Sequence, residues 1–381
     1  NIHILLTVNY STQSEQLAIL AELINKLVTN TVDDLTTQVL PNWRLTIFSD
    51  HACPDPQFAS NMVLEWIQTA DQQTNAIMAV VEASSAEWFI CAPAGLRLSP
   101  AFTLLAGLRL LNRPNTLLLY TDEDVVNAEG EHAQPKFKPD INLEFLRSSP
   151  YIGAATLIHK SLILDPRIAI LPPGLSRNYS AALLAVEQDF TAVDHLDEIL
   201  VHVPEIMAEE YASTALAPLL VQQHLARCGI TAEISDGPLP GMLFINYQLP
   251  VLPPMVSIIV PIQDQLDRVQ SCLESLLEKT NYPNFEILLI EHSYIEPTVR
   301  IFLAKLANSD SRVRVLYYSQ KYNDAAIRNI AAHQAQGDFL LLLNNGTIAL
   351  QENWLTRLTA IGVCTDVGAV GCRVVSFDQQ L

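Results

Sequence analysis

Apolar and polar positions along this chain alternate in blocks that predict strands and helices in turn. Short apolar runs that stop at polar turn formers predict strands, whereas apolar residues three or four positions apart predict helices. The predicted strands are residues 2–8, 44–48, 88–91, 116–120, 199–203, 231–234, 256–260, 286–290, 313–317 and 339–343. The predicted helices are one marked by Leu17, Leu20, Leu23, Ile24 and Leu27, followed by residues 56–69, 72–83, 100–111, 180–188, 214–228, 266–277, 297–308 and 324–336.

The order of these elements predicts the fold class. Strands that alternate with helices form right-handed crossovers, which give an α/β fold with parallel sheets covered by helices. Between residues 236 and 254 the chain contains five prolines and two glycines and shows no clear hydrophobic period. We interpret 236–254 as a linker that joins a first domain, 1–235, to a second domain, 255–381.

The apolar run at residues 339–343 predicts the central strand of the second domain, buried on both faces. It stops at the polar turn Asn344–Gly346. In an open parallel sheet, ligands bind just beyond the carboxyl ends of such strands. We therefore expect this turn to lie at a binding site.

Two segments of the first domain recur in the second. Residues 41–48 match residues 283–290, and residues 87–90 match residues 338–341 in the same order. One such match could arise by chance, but two in order indicate a duplicated nucleotide-binding unit.

Composition narrows the classes of function. The chain has 22 Lys and Arg residues against 41 Asp and Glu residues, a net charge of −19, which disfavours nucleic-acid binding. Six cysteines without a CxxC pair indicate free thiols in a reducing compartment. The chain start does not resemble a signal peptide, and no apolar run reaches the ~18 residues of a membrane span. We expect a cytoplasmic protein.

Eight short segments carry a resemblance to a known family. In the second domain they are residues 256–261, 282–291 and 337–345, and in the first domain 120–124, 136–140, 151–153, 224–230 and 237–241. Together they resemble family 2 glycosyltransferases of the GT-A fold, in the tandem form of bacterial surface-polysaccharide loci. The first-domain segments are similar to the acceptor-side half and to the interdomain segment of that family.

The resemblance implies two GT-A domains in tandem, of which the second is incomplete and contains only the nucleotide-binding half. It also implies transfer of a sugar from a nucleotide-diphosphate sugar to a glycan or another hydroxyl acceptor, lipid-linked or on a protein. The expected cofactor is Mg²⁺ or Mn²⁺, because hard cations neutralise the leaving diphosphate. Partner glycosyltransferases and a position at the inner face of the membrane are further expectations.

The resemblance assigns roles to single residues. Nucleotide-sugar binding falls on strand ends and helix starts of the second domain, namely Pro261, Glu291, Asn323, Arg328, Asn344 and Asn345. The candidate catalytic acids are Asp122 and Asp124 in the first domain.

Each role has a structural alternative. Glu291 and the acidic residues 122–124 are also explained as solvated groups, and Asn323 as a helix cap. Asn344 and Asn345 are also explained as a turn with local hydrogen bonds. The histidines show no metal-ligand spacing, which favours structural roles for His202 and His224.

The sequence also departs from the family pattern. Gly346 stands where the family's turn has an Asp, and the corresponding turn of the first domain, Pro93–Gly95, offers no ligand. The first domain has no room for the family's third strand between Cys53 and Glu87, and residues 177–180 replace the expected acidic base. Both metal motifs are degenerate, so we assign no metal ligand. Two functions stay open, an active glycosyltransferase and a non-catalytic relative that binds or scaffolds.

Overall fold

The computed structural model divides the chain into two compact units, Asn1–Gly229 with Ile234–Ile245, and Ile230–Glu233 with Asn246–Leu381. The residues that it describes are 1–8, 28–50, 52–53, 63–69, 73–127, 129–153, 155–205, 208, 214–263, 265–292 and 295–376. The predicted helix marked by Leu17 to Leu27 lies outside these residues.

Strands and helices alternate through most of the described chain, as the periodicity predicts. The strands are β1 (Ile2–Val8), β2 (Trp43–Ser49), β3 (Leu64–Gln68), β4 (Trp88–Pro93), β5 (Arg97–Leu98), β6 (Leu118–Val126), β7 (His132–Lys136), β8 (Leu157–His159), β9 (Val193–Pro204), β10 (Ala232–Asp236), β11 (Leu243–Tyr247), β12 (Val256–Pro261), β13 (Phe285–His292), β14 (Val313–Tyr318) and β15 (Phe339–Leu342). The helices are α1 (28–36), α2 (Gln73–Ala83), α3 (Phe102–Asn112), α4 (Leu143–Ser148), α5 (Lys160–Ile163), α6 (Pro166–Ala169), α7 (Leu175–Gln188), α8 (Ala217–Arg227), α9 (Leu266–Lys279), α10 (Pro297–Ser309), α11 (Asp324–Gln334) and α12 (Trp354–Gly362).

The first unit is built on a nine-stranded mixed sheet. Its strand order is β3-β2-β1-β4-β8-β6-β9-β5, with β7 paired to β6. The pairs β1–β2, β1–β4 and β2–β3 are parallel, whereas β8 runs antiparallel to both β4 and β6. Strand β1 is buried along its whole length, because it is central to the parallel part.

The second unit is built on a four-stranded parallel sheet of order β14-β13-β12-β15. Its core lies between the sheet and helices α9, α10 and α12, which contribute Val269, Leu273, Val299, Leu303 and Leu355. The predicted α/β class is confirmed for both units.

The strand order β3-β2-β1-β4 in the first sheet corresponds to the order β14-β13-β12-β15 in the second. The register of three of these strands also corresponds. Ile2, the first residue of β1, lies opposite the first residues of β2 and β4. Val256, the first residue of β12, likewise lies opposite the first residues of β13 and β15. These registers align the same residues as the two sequence matches. A duplication is the simplest account of this agreement, and it stays a prediction.

Strand β3 contradicts the expectation that the first domain lacks a third strand. Leu64 pairs with Leu45, in parallel, so Leu64–Gln68 is an edge strand where we predicted the end of a helix. The error has a physical cause. An edge strand that is half exposed needs no continuous apolar run. The five residues LEWIQ are also too few to show a clear period-2 alternation.

Three further predictions are corrected. β15 is the edge of its sheet within the described residues, so Leu340 and Leu342 are 49% and 58% exposed and the strand is not buried on both faces. Strand β6 does not end before the acidic residues but runs through them to Val126. The predicted linker contains strand β11, which pairs with β10.

Among the described residues, none of the helices combines the length and the apolar character needed to cross a bilayer.

Candidate functional site

The candidate site lies at the carboxyl edge of the second unit's sheet. Strand β12 ends at Pro261, β13 ends with Glu291 and His292, and β15 is followed by the turn Asn344–Gly346. These strands are parallel neighbours, so their carboxyl ends meet at one edge. The sequence prediction placed its nucleotide-binding residues at this edge, and the structure brings several of them into direct contact.

Arg328 connects this turn to helix α11. Its Nη2 donates a hydrogen bond of 2.9 Å to Asn344 Oδ1, and its Nε donates one of 2.7 Å to Asp324 Oδ2. A guanidinium is permanently charged and its N–H groups suit phosphate oxygens. The edge therefore has a guanidinium fixed beside the turn, and the carboxylate of Asp324 offsets part of its charge.

Asn323 caps the helix that carries Arg328. Its Oδ1 accepts a hydrogen bond of 3.1 Å from the backbone N–H of Ala326, which confirms the cap alternative. Residues that follow β14 lead into this cap, so the N-terminus of α11 lies at the carboxyl edge. The N-terminal end of a helix favours anions, and here it adds to the charge of Arg328.

Two residues that the sequence analysis missed complete the edge. Gln263 Nε2 donates to the Tyr322 hydroxyl at 3.0 Å, and the backbone oxygen of Gln263 accepts from Asn345 Nδ2 at 3.3 Å. The His292 ring packs edge-on against Tyr322 with ring centroids 5.4 Å apart. Their only signal in the sequence is position, because each follows the end of a strand.

Glu291 and Pro261 occupy more enclosed positions. The Glu291 carboxylate lies 3.4 Å from Arg300 Nε, and its side chain is only 13% exposed, so it is not a freely solvated acid. Pro261 is buried at the end of β12, opposite Ile290. Pro261 therefore shapes the backbone at the edge.

The turn does not fit the Mg²⁺ or Mn²⁺ ion that the resemblance implies. Such ions favour carboxylate oxygens, whereas Asn344 and Asn345 are carboxamides and Gly346 has no side chain. The oxygen of Asn344 already accepts from the Arg328 cation, and the nearby carboxylate of Asp324 is bound to the same guanidinium. We derive no step through a metal ion at this turn.

In the first unit, Asp122 lies inside strand β6 and is 4% exposed. Its Oδ1 accepts from the backbone N–H of Lys138 at 2.8 Å and lies 2.9 Å from His195 Nε2. The solvated-turn alternative is therefore wrong for this residue, whose partners come from distant segments.

Glu123 forms the centre of this buried cluster. Its carboxylate is 2.8 Å from Lys138 Nζ and 3.4 Å from Lys136 Nζ. Burial opposes ionisation of Glu123, but the two lysines outweigh it and hold the carboxyl pKa below its usual value. Gly153, at φ +87°, packs against the Glu123–Lys138 ion pair so closely that any Cβ at this position would collide with both side chains. Three segments that carry the family resemblance thus meet at one carboxylate.

Asp124 is 7% exposed and faces two histidines rather than solvent. Its carboxylate oxygens lie 2.6 Å from His202 Nδ1 and 2.9 Å from His132 Nδ1. The catalytic roles of Asp122 and Asp124 stay predictions, but neither residue lies in an exposed turn.

The first unit's counterpart of the Asn344–Gly346 turn is closed. Ala94 and Leu96 are each 1% exposed and belong to the hydrophobic core. Where the resemblance expects an acidic base, Arg177 is fully buried and donates to the backbone oxygen of Leu171 at 2.6 Å. The turn that follows β4 is therefore part of the core and not an open polar turn.

The parallel sheet defines the second unit as an α/β domain, and its polar carboxyl edge is the place where such sheets bind ligands. Residues 257–379 match the glycosyl transferase family 2 model, and this part of the chain belongs to that family.

Relatives extend over more of the chain. The O-antigen biosynthesis protein RfbC of Myxococcus xanthus is 32% identical over 290 residues, which are 73% of this chain and 22% of that protein. An uncharacterized protein, y4gI, of Sinorhizobium fredii is 27% identical over 70% of this chain and 30% of its own length. This chain thus spans less than a third of either relative.

Parts of the chain also match solved structures, two of which follow. TarS residues 1–349 of S. aureus, in complex with UDP, are 11% identical and cover 58% of this chain and 65% of their own, with a TM-score of 0.39. The mannosyltransferase PcManGT of Pyrobaculum calidifontis, in complex with GDP-Man and Mn²⁺, is 17% identical and covers 42% of this chain and 43% of its own, with a TM-score of 0.31.

Proposed function

We propose that the second unit binds the nucleoside diphosphate of a nucleotide sugar at its carboxyl edge. The protein then transfers the sugar to a hydroxyl of a glycan, lipid-linked or protein acceptor in surface-polysaccharide synthesis. The observation that carries this proposal is the 2.9 Å contact between Arg328 and Asn344. It holds a cation beside the turn of a family 2 domain, beyond the ends of parallel strands.

The chemistry follows from the charge of the leaving group. As the bond between sugar and diphosphate breaks, negative charge builds on the diphosphate and must be offset. Arg328 and the N-terminus of α11 are positioned to supply that charge without a metal ion at the turn. Glu291, enclosed at the end of β13, and Tyr322 are the groups available to contact the nucleoside.

Nucleotide binding tests the proposal first. We expect UDP or GDP to raise the Tm of the full chain in the presence of EDTA, and added Mn²⁺ to change the shift little. Arg328→Gln should weaken nucleotide binding at least about tenfold, because it removes a charge-assisted contact. Arg357→Gln is the matched control, since Arg357 is exposed on α12 and donates to Gln351 Oε1 at 3.3 Å.

Two results would contradict the proposal. One is a Tm that nucleotides leave unchanged, and the other is an Arg328→Gln protein that binds nucleotide as well as the Arg357→Gln control does. Transfer itself is measured as nucleoside diphosphate released from a panel of nucleotide sugars, with and without glycan acceptors.

A second candidate is a non-catalytic binding or scaffolding module. It is favoured by the carboxylate-free turn at Asn344–Gly346 and by the closed turn of the first unit. This candidate predicts nucleotide or glycan binding without turnover for any sugar in the panel. Measurable release of nucleoside diphosphate above the buffer rate excludes it.

A further inference from the structure

Three metal-ligating side chains meet on one face of the first unit's sheet, outside the edge described above. Asp124 comes from β6, His132 from β7 and His202 from β9. Their ligand atoms all lie within 4.8 Å of one another, and the two imidazole rings pack edge-on with centroids 4.5 Å apart. In the sequence, Asp124 is 78 residues from His202 and 8 residues from His132, so the spacing suggested no ligand set.

Strand pairing explains why the three side chains converge. Asp124 lies directly opposite His202 in the parallel pair of β6 and β9. His132 lies opposite Val126 in the antiparallel pair of β6 and β7. Because residues two apart in a strand share a face, Asp124 and Val126 point the same way, and His132 reaches Asp124 diagonally.

The donor set is typical of a first-row transition metal. Two imidazoles and one carboxylate suit Zn²⁺, Fe²⁺ or Co²⁺ and leave coordination positions open. In such a site neighbouring ligand atoms lie about 3.0–3.4 Å apart. Here His132 Nδ1 lies 2.9 Å from Oδ2 of Asp124 and His202 Nδ1 lies 2.6 Å from Oδ1, which are hydrogen-bond distances. An ion would replace these two hydrogen bonds after an outward shift of about 0.5 Å.

Charge and access favour the same conclusion. Among the described residues, no lysine or arginine is hydrogen bonded to Asp124. Two cations lie on the paired strands: Arg97, opposite His202 in β5, has its guanidinium bound to Asp34 at 2.8 and 3.0 Å. Lys136, opposite Glu123 in β7, is bound to the Glu123 carboxylate. His132 is 52% exposed, whereas the side chain of Asp124 is 9% exposed, so an ion can enter from the His132 side towards a buried carboxylate.

A second cluster in the same unit shows what a poor site looks like. Glu187, His224 and Cys228 also lie within 4.8 Å of one another. Arg227 donates two hydrogen bonds to Glu187, and Arg147 donates to His224 Nε2 at 3.2 Å. Two guanidinium groups are thus hydrogen bonded to these side chains and would repel a metal cation, so the cluster is a poor metal site.

We propose that Asp124, His132 and His202 bind a first-row divalent metal ion, for which Zn²⁺ is the probe. Each imidazole would present the Nδ1 lone pair and keep its proton on Nε2, as neutral metal-bound histidine does. The ion would connect β7, β6 and β9, and its open positions would face the solvent side at His132. The proposed metal site belongs to the first unit.

The test uses the full chain after removal of metal with a chelator. We expect about one equivalent of Zn²⁺ to bind with micromolar or tighter affinity and to raise the Tm, and Co²⁺ to give visible absorption bands. His132→Ala should weaken Zn²⁺ binding at least about tenfold and abolish the Co²⁺ bands. Since His132 is half exposed, this variant should keep the far-UV circular dichroism of the parent.

Two matched controls locate the ion. His159→Ala removes a histidine of β8 whose Nδ1 lies 2.8 Å from Ser161 Oγ and accepts from the Ser161 backbone N–H at 3.3 Å, and Cys228→Ser removes the thiol of the second cluster. Both should bind Zn²⁺ as the parent does. A parent that takes up no Zn²⁺, a His132→Ala protein that binds it equally well, or a loss confined to Cys228→Ser would overturn the assignment. If His132→Ala is misfolded, the Co²⁺ spectrum of the parent still decides between imidazole and thiolate ligands.

Discussion

The strands β4 and β15 occupy the same place in their sheets but have very different surroundings. Phe89 and Cys91 of β4 are fully buried, whereas their counterparts by register, Leu340 and Leu342 of β15, are about half exposed. The turn that follows β4 joins the hydrophobic core, and the turn that follows β15 is polar and open. The same strand position is therefore followed by a buried turn in one unit and by an exposed polar turn in the other.

The cause is what covers each strand. In the first unit β8 pairs with the edge of β4 that β1 leaves free, and helix α7 packs on the enlarged sheet at β4. In the second unit, no strand among the described residues pairs with β15 beyond β12. The first unit therefore has a core turn at the position where the second unit has the open polar turn of the proposed nucleotide site.

The largest expected effect comes from truncating equivalent positions of the two strands. Phe89→Ala leaves a cavity in a packed core and should cost about 3–5 kcal/mol of unfolding free energy. Leu340→Ala removes a half-exposed side chain and should cost about 1 kcal/mol or less. Urea unfolding, with hydrogen exchange of peptides from each unit, measures both. Equal losses would show that the two strands do not differ in burial.

The two turn glycines give the next comparison. Gly95 is buried at φ 103°, so Gly95→Asp would strain the backbone and bury a charge, at a cost of at least about 3 kcal/mol. Nothing lies within 4 Å of a Cβ built on Gly346, so Gly346→Asp should be neutral to within about 0.5 kcal/mol.

The same Gly346→Asp protein also sharpens the proposed site. It restores a carboxylate beside Asn344 and should make UDP binding stronger when Mn²⁺ is present, although Arg328 stays the main cation. The Tm shift with UDP, with and without Mn²⁺, is the measurement. An unchanged response to Mn²⁺ would mean that this turn does not face the diphosphate.

A third comparison concerns the second residue of β1 and of β12. His3 lies between the hydroxyls of Thr46 and Ser84, each 2.9 Å from a ring nitrogen, and burial together with Arg44 lowers its pKa to about 4. Its counterpart, Ser257, instead donates to the Glu286 carboxylate at 2.7 Å.

Acid should therefore destabilise the first unit through His3. The unfolded histidine binds a proton below about pH 6.5 and the folded one only near pH 4, so the stabilisation is complete above pH 6.5 and is lost as the pH falls towards 4. The loss is at most about 3 kcal/mol for this residue. His3→Gln keeps the polar contacts without titrating, and its unfolding free energy between pH 7 and 4 should fall by less than that of the parent.

The sequence predicted the features that depend on neighbouring residues and missed those that depend on residues far apart in the chain. Apolar runs located β1, β12 and β13, and the two sequence matches anticipated the register of the sheets, because buried parallel strands are continuous in sequence. The partners of Asp124 could not be found this way. His202 is 78 residues away and meets Asp124 only through strand pairing, so no local pattern records the contact.

The smallest expected effect separates the two roles of Asn323. As a cap it stabilises α11, so Asn323→Ala should cost about 1 kcal/mol, whereas Asn323→Ser keeps an oxygen that can accept from Ala326 and should cost little. Asn142 caps α4 of the first unit by the same bond, at 2.9 Å to Phe145 N, and provides a control away from the proposed nucleotide site. Asn142→Ser should leave UDP affinity unchanged. An Asn323→Ser protein that keeps the stability of the parent and yet binds UDP more weakly than Asn142→Ser does would show that the carboxamide also contacts the nucleotide. Equal UDP affinities of the two variants would limit Asn323 to capping and leave Arg328 as the residue that binds the diphosphate.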